Sequence, residues 1–288
     1  MERAPRRDQV TVDRAAALGG IDVVRARFRR LATRPHSHPE YEIGVVRTGR
    51  RLVRWRGREL QVGEGAVIVF RPDEVHAGAP LDAEGSTYWA FLIPPDLVEP
   101  IAGWPRGAGT RSAPPPADGP VIHDVGLARL LLAAHADLAS DPVCNGGARL
   151  RDALAALGPF LQRPGDRSGP RVEHTAVGQV RRYLQAHYRT RIRLATLAQL
   201  TGLSTFHLIR VFREATGIPP YAYLEQIRVN RAATLLRSGS PVSAVAYQTG
   251  FSDQSHLTRF FKRFVGVTPG RYQRSALLAA GRGERAAS

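Results

Sequence analysis

The chain has 288 residues, 43% hydrophobic and 23% charged, which suits two domains that each bury a core. Its one cysteine, Cys144, excludes a disulfide framework and a cysteine-based zinc site, and no apolar run approaches the roughly 18 residues of a membrane span. The net charge is +16, and residues 171–275 hold 16 Arg and Lys against 4 Asp and Glu, a clustering that suits a phosphate backbone. A chain-wide preference for arginine is also present, since Lys262 is the only lysine, but it does not explain the clustering. The opening run Met1-Glu2-Arg3-Ala4-Pro5-Arg6-Arg7-Asp8 lacks the apolar centre of a secretion signal, so a cytoplasmic protein without a membrane partner is expected.

In chain order, five short β-branched or aromatic runs are expected as strands: Ile21–Phe28, Tyr41–Thr48, Arg51–Trp55, Ala66–Phe70 and Thr87–Ile93. Turn signals separate them at Thr48-Gly49, Arg56-Gly57, Gly63-Glu64-Gly65 and Pro72-Asp73, so residues 1–120 predict a small sandwich or barrel. Gly63-Glu64-Gly65 lies in such a turn and lacks the following helix that a dinucleotide fingerprint needs. Residues 105–120 have linker composition.

Residues 121–163 predict a helical hairpin. Leu127, Leu130, Leu131, Ala134 and Leu138 share one helical face, as do Leu150, Ala153, Leu154, Leu157 and Leu161. Such a pair covers an open sheet face, provides a dimerisation surface, or does both. Residues 164–172 predict a linker, 173–276 an all-helical domain and 277–288 a disordered tail.

The helical domain contains one pattern twice. Ala198-Gln199-Leu200-Thr201-Gly202-Leu203-Ser204 returns 48 positions later as Ala246-Tyr247-Gln248-Thr249-Gly250-Phe251-Ser252. Leu208, Arg210, Phe212, Gly217 and Pro220 return 49 positions later as Leu257, Arg259, Phe261, Gly266 and Pro269. Each copy predicts a short helix, a glycine turn, a polar cap and a second helix, which is a helix-turn-helix unit. In the first, Leu208, Val211, Phe212 and Ala215 are expected to face the core, leaving Phe206, Ile209, Arg210 and Arg213 outside. In the second, Leu257, Phe260, Phe261 and Phe264 face inward, with Gln254, Ser255, Thr258, Arg259 and Lys262 outside. Exposed Phe and Ile beside Arg suit a major groove, where apolar groups meet thymine methyls and Arg meets guanine. The plainer role of Arg210 and Arg259 is a solvated charge; their equivalence across the two copies favours DNA. The helix expected over Tyr221–Arg237 would span about 26 Å, enough to hold two such units near the ~34 Å repeat of the duplex.

The run Arg228-Val229-Asn230-Arg231-Ala232-Ala233-Thr234-Leu235-Leu236 resembles the linker helix of the AraC/XylS regulators. So does Gly250-Phe251-Ser252-Asp253-Gln254-Ser255-His256-Leu257-Thr258-Arg259-Phe260-Phe261-Lys262, with Gly266-Val267-Thr268-Pro269-Gly270-Arg271-Tyr272 after it. The resemblance implies an α+β protein with a cupin-like sensor barrel, a helical hairpin and two helix-turn-helix units joined by a linker helix. It implies a ligand-responsive, sequence-specific transcriptional regulator, without enzyme activity, whose partners are double-stranded DNA, a small-molecule effector, a second copy of the chain and RNA polymerase. By similarity Phe206, Ile209 and Arg210, with Gln254, Ser255 and Arg259, occupy base-reading positions, while Thr205 and His207 supply backbone contacts.

The segment His36-Ser37-His38-Pro39-Glu40-Tyr41-Glu42, together with His76, resembles the two motifs of cupin barrels, in which such residues bind a divalent metal. It departs from them at Pro72-Asp73-Glu74, which lacks the usual glycine, and in lacking the later asparagine. A regular strand would put His36, His38 and Glu42 on one face, a donor set suited to Fe, Mn, Ni or Zn. No cofactor is required by this reading: the same residues also serve as polar groups of a metal-free pocket. Trp55 and Trp89 are candidates to stack on a ligand there, with core packing as their plainer role. By fold analogy the first 18 residues form an arm over the pocket. The alternative function is a metal-dependent cupin enzyme fused to a DNA-binding domain.

Overall fold

The computed structural model describes residues 8–15, 21–30, 32–102, 119–140, 146–162 and 175–286. Most of the expected 105–120 linker, and the whole of 164–172, lie outside these residues. Among the described residues the N-terminal part contains β1 (Gln9–Ala15), β2 (Ile21–Phe28), β3 (Tyr41–Thr48), β4 (Arg51–Trp55), β5 (Arg58–Val62), β6 (Val67–Phe70), β7 (His76–Pro80), β8 (Ser86–Ile93) and β9 (Val121–Ile122). A six-stranded antiparallel sheet in the order β1-β2-β8-β3-β6-β9 faces a three-stranded sheet, β5-β4-β7. All five expected strands are present, with β6 starting one residue late and β8 one residue early.

The central strands β3, β6 and β8 of the large sheet are buried on both faces, which is why they appear in sequence as apolar runs and not as polar-apolar alternation. Tyr41, Ile43, Val45, Val67, Val69, Phe91 and Ile93 point to helices α1 (Pro95–Ile101), α2 (Val125–Ser140) and α3 (Gly146–Gln162). Ile68, Phe70, Tyr88 and Ala90 point the other way, to Val53, Trp55 and Val62 of the small sheet. The hairpin α2–α3 therefore belongs to the barrel's own core, with Leu131, Leu138, Leu150, Leu157 and Leu161 buried there. The described part of the expected arm is a strand, and its Val10 and Val12 line a cavity between barrel and helical domain. As β1 it pairs with β2 from Gln9↔Arg27 to Ala15↔Ile21.

The C-terminal part is helical throughout: α4 (Thr175–His187), α5 (Leu194–Thr201), α6 (Thr205–Thr216), α7 (Pro220–Arg237), α8 (Val242–Gln248), α9 (Gln254–Val265) and α10 (Pro269–Ala286). It has two cores. Val180, Leu184, Leu197, Leu208 and Phe212 pack with Tyr223 and Leu224 from the start of α7, while Val245, Leu257, Phe261 and Tyr272 pack with Val229, Ala232 and Leu236 from its end. One helix thus belongs to both helix-turn-helix units. Two expectations fail. Ala215 is exposed, because the last turn of α6 runs past the core before Gly217 ends it. Residues 277–286, expected as disordered tail, continue α10, since Leu277, Leu278, Ala279 and Ala280 are strong helix formers.

Candidate nucleic-acid interface and effector cavity

Each recognition helix is started and stopped by its sequence. Gly202 and Gly250 sit at φ +68° and +83°, the left-handed conformation that ends the preceding helix and that glycine adopts without strain. Ser204 caps α6 by accepting a hydrogen bond from the His207 N–H at 3.3 Å. In the second copy the cap is Asp253, which accepts from the His256 N–H at 2.8 Å, and Ser252 donates to it. Cap and turn therefore differ in length by one residue, which accounts for the change of repeat spacing from 48 to 49. Those hydrogen bonds from His256 and Ser252 hold the Asp253 carboxyl below its usual pKa.

On these helices Thr205, Phe206, His207, Arg210, Arg213, Gln254, Ser255, Arg259 and Lys262 are exposed, and Ile209 is half-buried. Phe206 is 80% exposed, an unfavourable state for a large apolar ring in water and one that an apolar contact would relieve. Arg210 lies 3.6 Å from Glu214, a solvent-exposed pair that a phosphate or base displaces at little cost. The two units are also braced against each other. Arg228 of α7 donates to the Tyr188 and Thr190 carbonyls at 2.8 and 2.9 Å, at the point where the Gly250 turn meets the end of α4.

The second feature is a cavity of about 290 Å³ between barrel and helical domain. Its floor is the inner face of the large sheet, including Val24, Ile68, Phe70 and Ala90. Its other walls include Gln226, Val229 and Ala233 of α7 and Phe264 near the end of α9, so the DNA-binding domain completes it. Sequence reasoning did not find that half, because nothing in the periodicity of α7 announces a contact with a distant sheet. Gln226 does carry a signal, as a polar residue among the buried positions of a helix.

At one end of this cavity His36, His38, Glu42 and His76 come together, with one ligand atom from each lying within 4.8 Å of the others. The expected regular strand is not what joins them. His36 is held by a two-residue bridge to His76, with both backbone hydrogen bonds at 2.9 Å, and only Glu42 sits within β3. Each imidazole has its Nδ1 2.9 Å from a backbone carbonyl, that of Arg34, Glu40 or Glu74, so each Nδ1 carries the proton and Nε2 is left for the cluster. Glu42 Oε2 lies 3.1 Å from His38 Nε2 and 3.3 Å from His76 Nε2, the latter off the line that a hydrogen bond needs. Tyr88 donates to the other carboxylate oxygen at 2.9 Å. Burial, with the neighbouring His76 and His38, pushes the His36 pKa down to about 3. Burial opposes the charge on His38 as well, but its hydrogen bond to Glu42 and the nearby carboxylates raise its pKa. Glu42 is likewise held well below the carboxylate range by His38 and His76, against its burial.

Arg51 also lines the cavity. It is 4% exposed, donates to Ser86 Oγ at 3.1 Å, and packs its guanidinium against Phe28 and Tyr88; among the described residues it forms no ion pair. Burial lowers its pKa. Period-2 alternation along Arg51, Val53 and Trp55 places it inward with two apolar neighbours, a signal that sequence reasoning passed over. The two tryptophans do not line the cavity. Trp55 packs in the core between the sheets, and Trp89 points to the helices, where it stacks on His135 at 4.5 Å.

Residues 18–159 match the AraC-like ligand binding domain, and residues 197–275 match a helix-turn-helix domain. The chain is 31% identical over 225 residues to the uncharacterized HTH-type transcriptional regulator YbfI of Bacillus subtilis strain 168, covering 77% of this chain and 80% of that one. The chain belongs to the AraC family of transcriptional regulators. It is also 25% identical to the HTH-type transcriptional activator RhaS of Citrobacter koseri (88% of this chain, 93% of that one) and 24% identical to the arabinose operon regulatory protein of Escherichia coli K12 (83% and 82%). In fold it is similar to ToxT from Vibrio cholerae O395, with a TM-score of 0.55 at 12% identity over 94% of this chain and 99% of that one. This AraC-family chain is a ligand-responsive, sequence-specific DNA-binding regulator. The comparisons support that reading over the enzyme alternative, and among the described residues no helix is long and apolar enough to cross a membrane.

Proposed function

We propose that the regulator reads two adjacent major grooves with α6 and α9, and that its effector is a small organic anion bound in the interdomain cavity. The buried Arg51 carries the effector reading. A buried guanidinium with no carboxylate in ion-pair contact, Glu42 acting on it only at longer range, is costly, and an anionic ligand reduces that cost. The apolar floor suits the ligand's hydrocarbon part. On DNA, Phe206, Ile209 and Arg210 of α6 and Gln254, Ser255 and Arg259 of α9 meet base edges, while Thr205, His207, Arg213 and Lys262 meet the backbone. In this reading the protein works in the cytoplasm as a homodimer joined through the α2–α3 hairpin and contacts RNA polymerase from its promoter.

The test is a thermal-shift screen of small carboxylates and phosphates against the full chain and Arg51→Met. Stabilisation by an anion, lost in the variant, supports the assignment; equal stabilisation of both proteins refutes it. DNA binding is tested on a duplex selected from a random pool, with affinity falling steeply as salt rises, as about 6–10 phosphate contacts require.

A further inference from the structure

Building on the regulator reading, we propose that His36, His38, Glu42 and His76 form a divalent transition-metal site whose ion holds the Pro35–His38 segment against linker helix α7. The three imidazoles present Nε2 lone pairs, and Glu42 presents Oε2, to one small volume. Four acceptors facing one another need a cation between them. A single proton on His38 satisfies only the His38–Glu42 pair, and His76 Nε2, on a residue 4% exposed, is left buried without a hydrogen-bond partner. One metal ion satisfies all four at once.

The surroundings fit a metal as well. Outward Nδ1–H bonds to carbonyls fix the ring orientation and tautomer, the arrangement that metal-binding histidines use. Tyr88 occupies Glu42 Oε1 and leaves Oε2 for coordination. Ligand bonds of about 2.0–2.2 Å place donors at most ~4.4 Å apart, so a spread of 4.8 Å closes onto an ion with sub-ångström adjustment. Three imidazole nitrogens and one carboxylate suit Zn(II), Fe(II), Co(II), Ni(II) or Mn(II) in preference to Mg(II) or Ca(II).

The connection to DNA lies in the residue between two of these ligands. Ser37 is buried and donates to Gln226 Oε1 at 3.0 Å, and Gln226 Nε2 returns a bond to the Pro35 carbonyl at 3.3 Å. Gln226 sits on α7 between Leu224 of the first helix-turn-helix core and Val229 of the second. An ion that fixes His36 and His38 therefore fixes the clamp on the helix that spaces the recognition helices. Losing the ion leaves the quartet with the His38–Glu42 hydrogen bond, leaves His76 Nε2 without a partner, and slackens that clamp.

The experiment uses the full chain, stripped with a chelator and reloaded with Zn(II), or with Co(II) as a visible-absorption probe. We expect one ion per chain by elemental analysis, lost in His38→Ala and in the isosteric Glu42→Gln. Affinity for the selected duplex should change at least about fivefold on loading, the lower end of ordinary coupling between sites. Ser37→Ala and Gln226→Leu keep every metal donor, so they should keep the ion and lose the fivefold response. Substoichiometric metal in the wild type, or undiminished metal in Glu42→Gln, overturns the site. A full response in Ser37→Ala and Gln226→Leu overturns the clamp. Metal content is read on protein alone, so a failure to bind any duplex strikes the regulator reading and leaves the metal result to stand or fall separately.

Discussion

At the scale of single residues, Arg259 has the simplest consequence. An Arg reading guanine through two hydrogen bonds contributes about 1–3 kcal/mol of discrimination, whereas a phosphate contact contributes equally on any sequence. Arg259→Ala should therefore weaken binding to the selected duplex by that amount and barely affect random DNA. Equal losses on both would make it a backbone contact. Gly44 is set by packing: a Cβ there would lie 2.3 Å from the Tyr88 ring and hydroxyl. Gly44→Ala should cost about 1–3 kcal/mol of stability as Tyr88 is displaced from Glu42, and urea unfolding with no change would contradict that packing. His135 gives a pH dependence. Burial pushes its pKa down to about 4, although its Nε2 donates to the Val24 carbonyl at 3.0 Å. Above pH 6.5 the ring is neutral in both folded and unfolded chains, so it adds no pH dependence. As pH falls from 6.5 towards 4 the unfolded chain takes the proton first, and stability is lost. Wild type should lose about 2 kcal/mol more than His135→Phe between pH 7.5 and pH 5, measured by urea unfolding. Parallel pH profiles would show that the ring is not held neutral.

At the scale of elements, the repeated turn allows a controlled comparison. Both Gly202 and Gly250 need positive φ, which costs an alanine about 1–2 kcal/mol. A Cβ on Gly202 meets nothing within 4 Å, but one on Gly250 lies 2.8 and 2.9 Å from the Tyr188 and Arg189 carbonyl oxygens. Gly250→Ala should cost at least twice as much as Gly202→Ala in urea unfolding. Equal losses would mean that the turn does not press on the end of α4. What sequence could say about elements follows the same physics. Helical stripes such as Leu208, Val211 and Phe212 are visible because burial recurs at a fixed spacing. Strands β5 and β7 were missed because Arg58-Glu59-Leu60-Gln61 and His76-Ala77-Gly78-Ala79 lie at the edges of the small sheet and lack the β-branched residues that mark a strand. The donor quartet was legible as a list of residues, while its geometry rests on the His36–His76 bridge, which pairs segments 40 residues apart.

At the scale of the molecule, the barrel and the helical domain share structure. Val12 of β1 belongs to the same core as Phe261 and Tyr272, and Ser275 of α10 donates to the Val12 carbonyl at 2.6 Å. Asp22, 5% exposed, accepts from Tyr272 at 2.6 Å and lies 2.9 Å from Arg14 and 3.5 Å from Arg237. A buried carboxylate with these partners favours one relative placement of the domains, because displacement takes Tyr272 and Arg237 from it and leaves Arg14 of its own sheet as its partner. The cavity is built from both sides of that contact, so a ligand within it favours the docked arrangement over any open one. The intact protein should consequently melt in a single calorimetric transition. Asp22→Ala leaves Arg237 without its nearest carboxylate and Tyr272 without its acceptor, and should separate that transition into two, with the barrel and the helix-turn-helix pair unfolding independently. Wild-type protein that already melts in two steps would show that this interface is too weak to carry information from the cavity to the recognition helices.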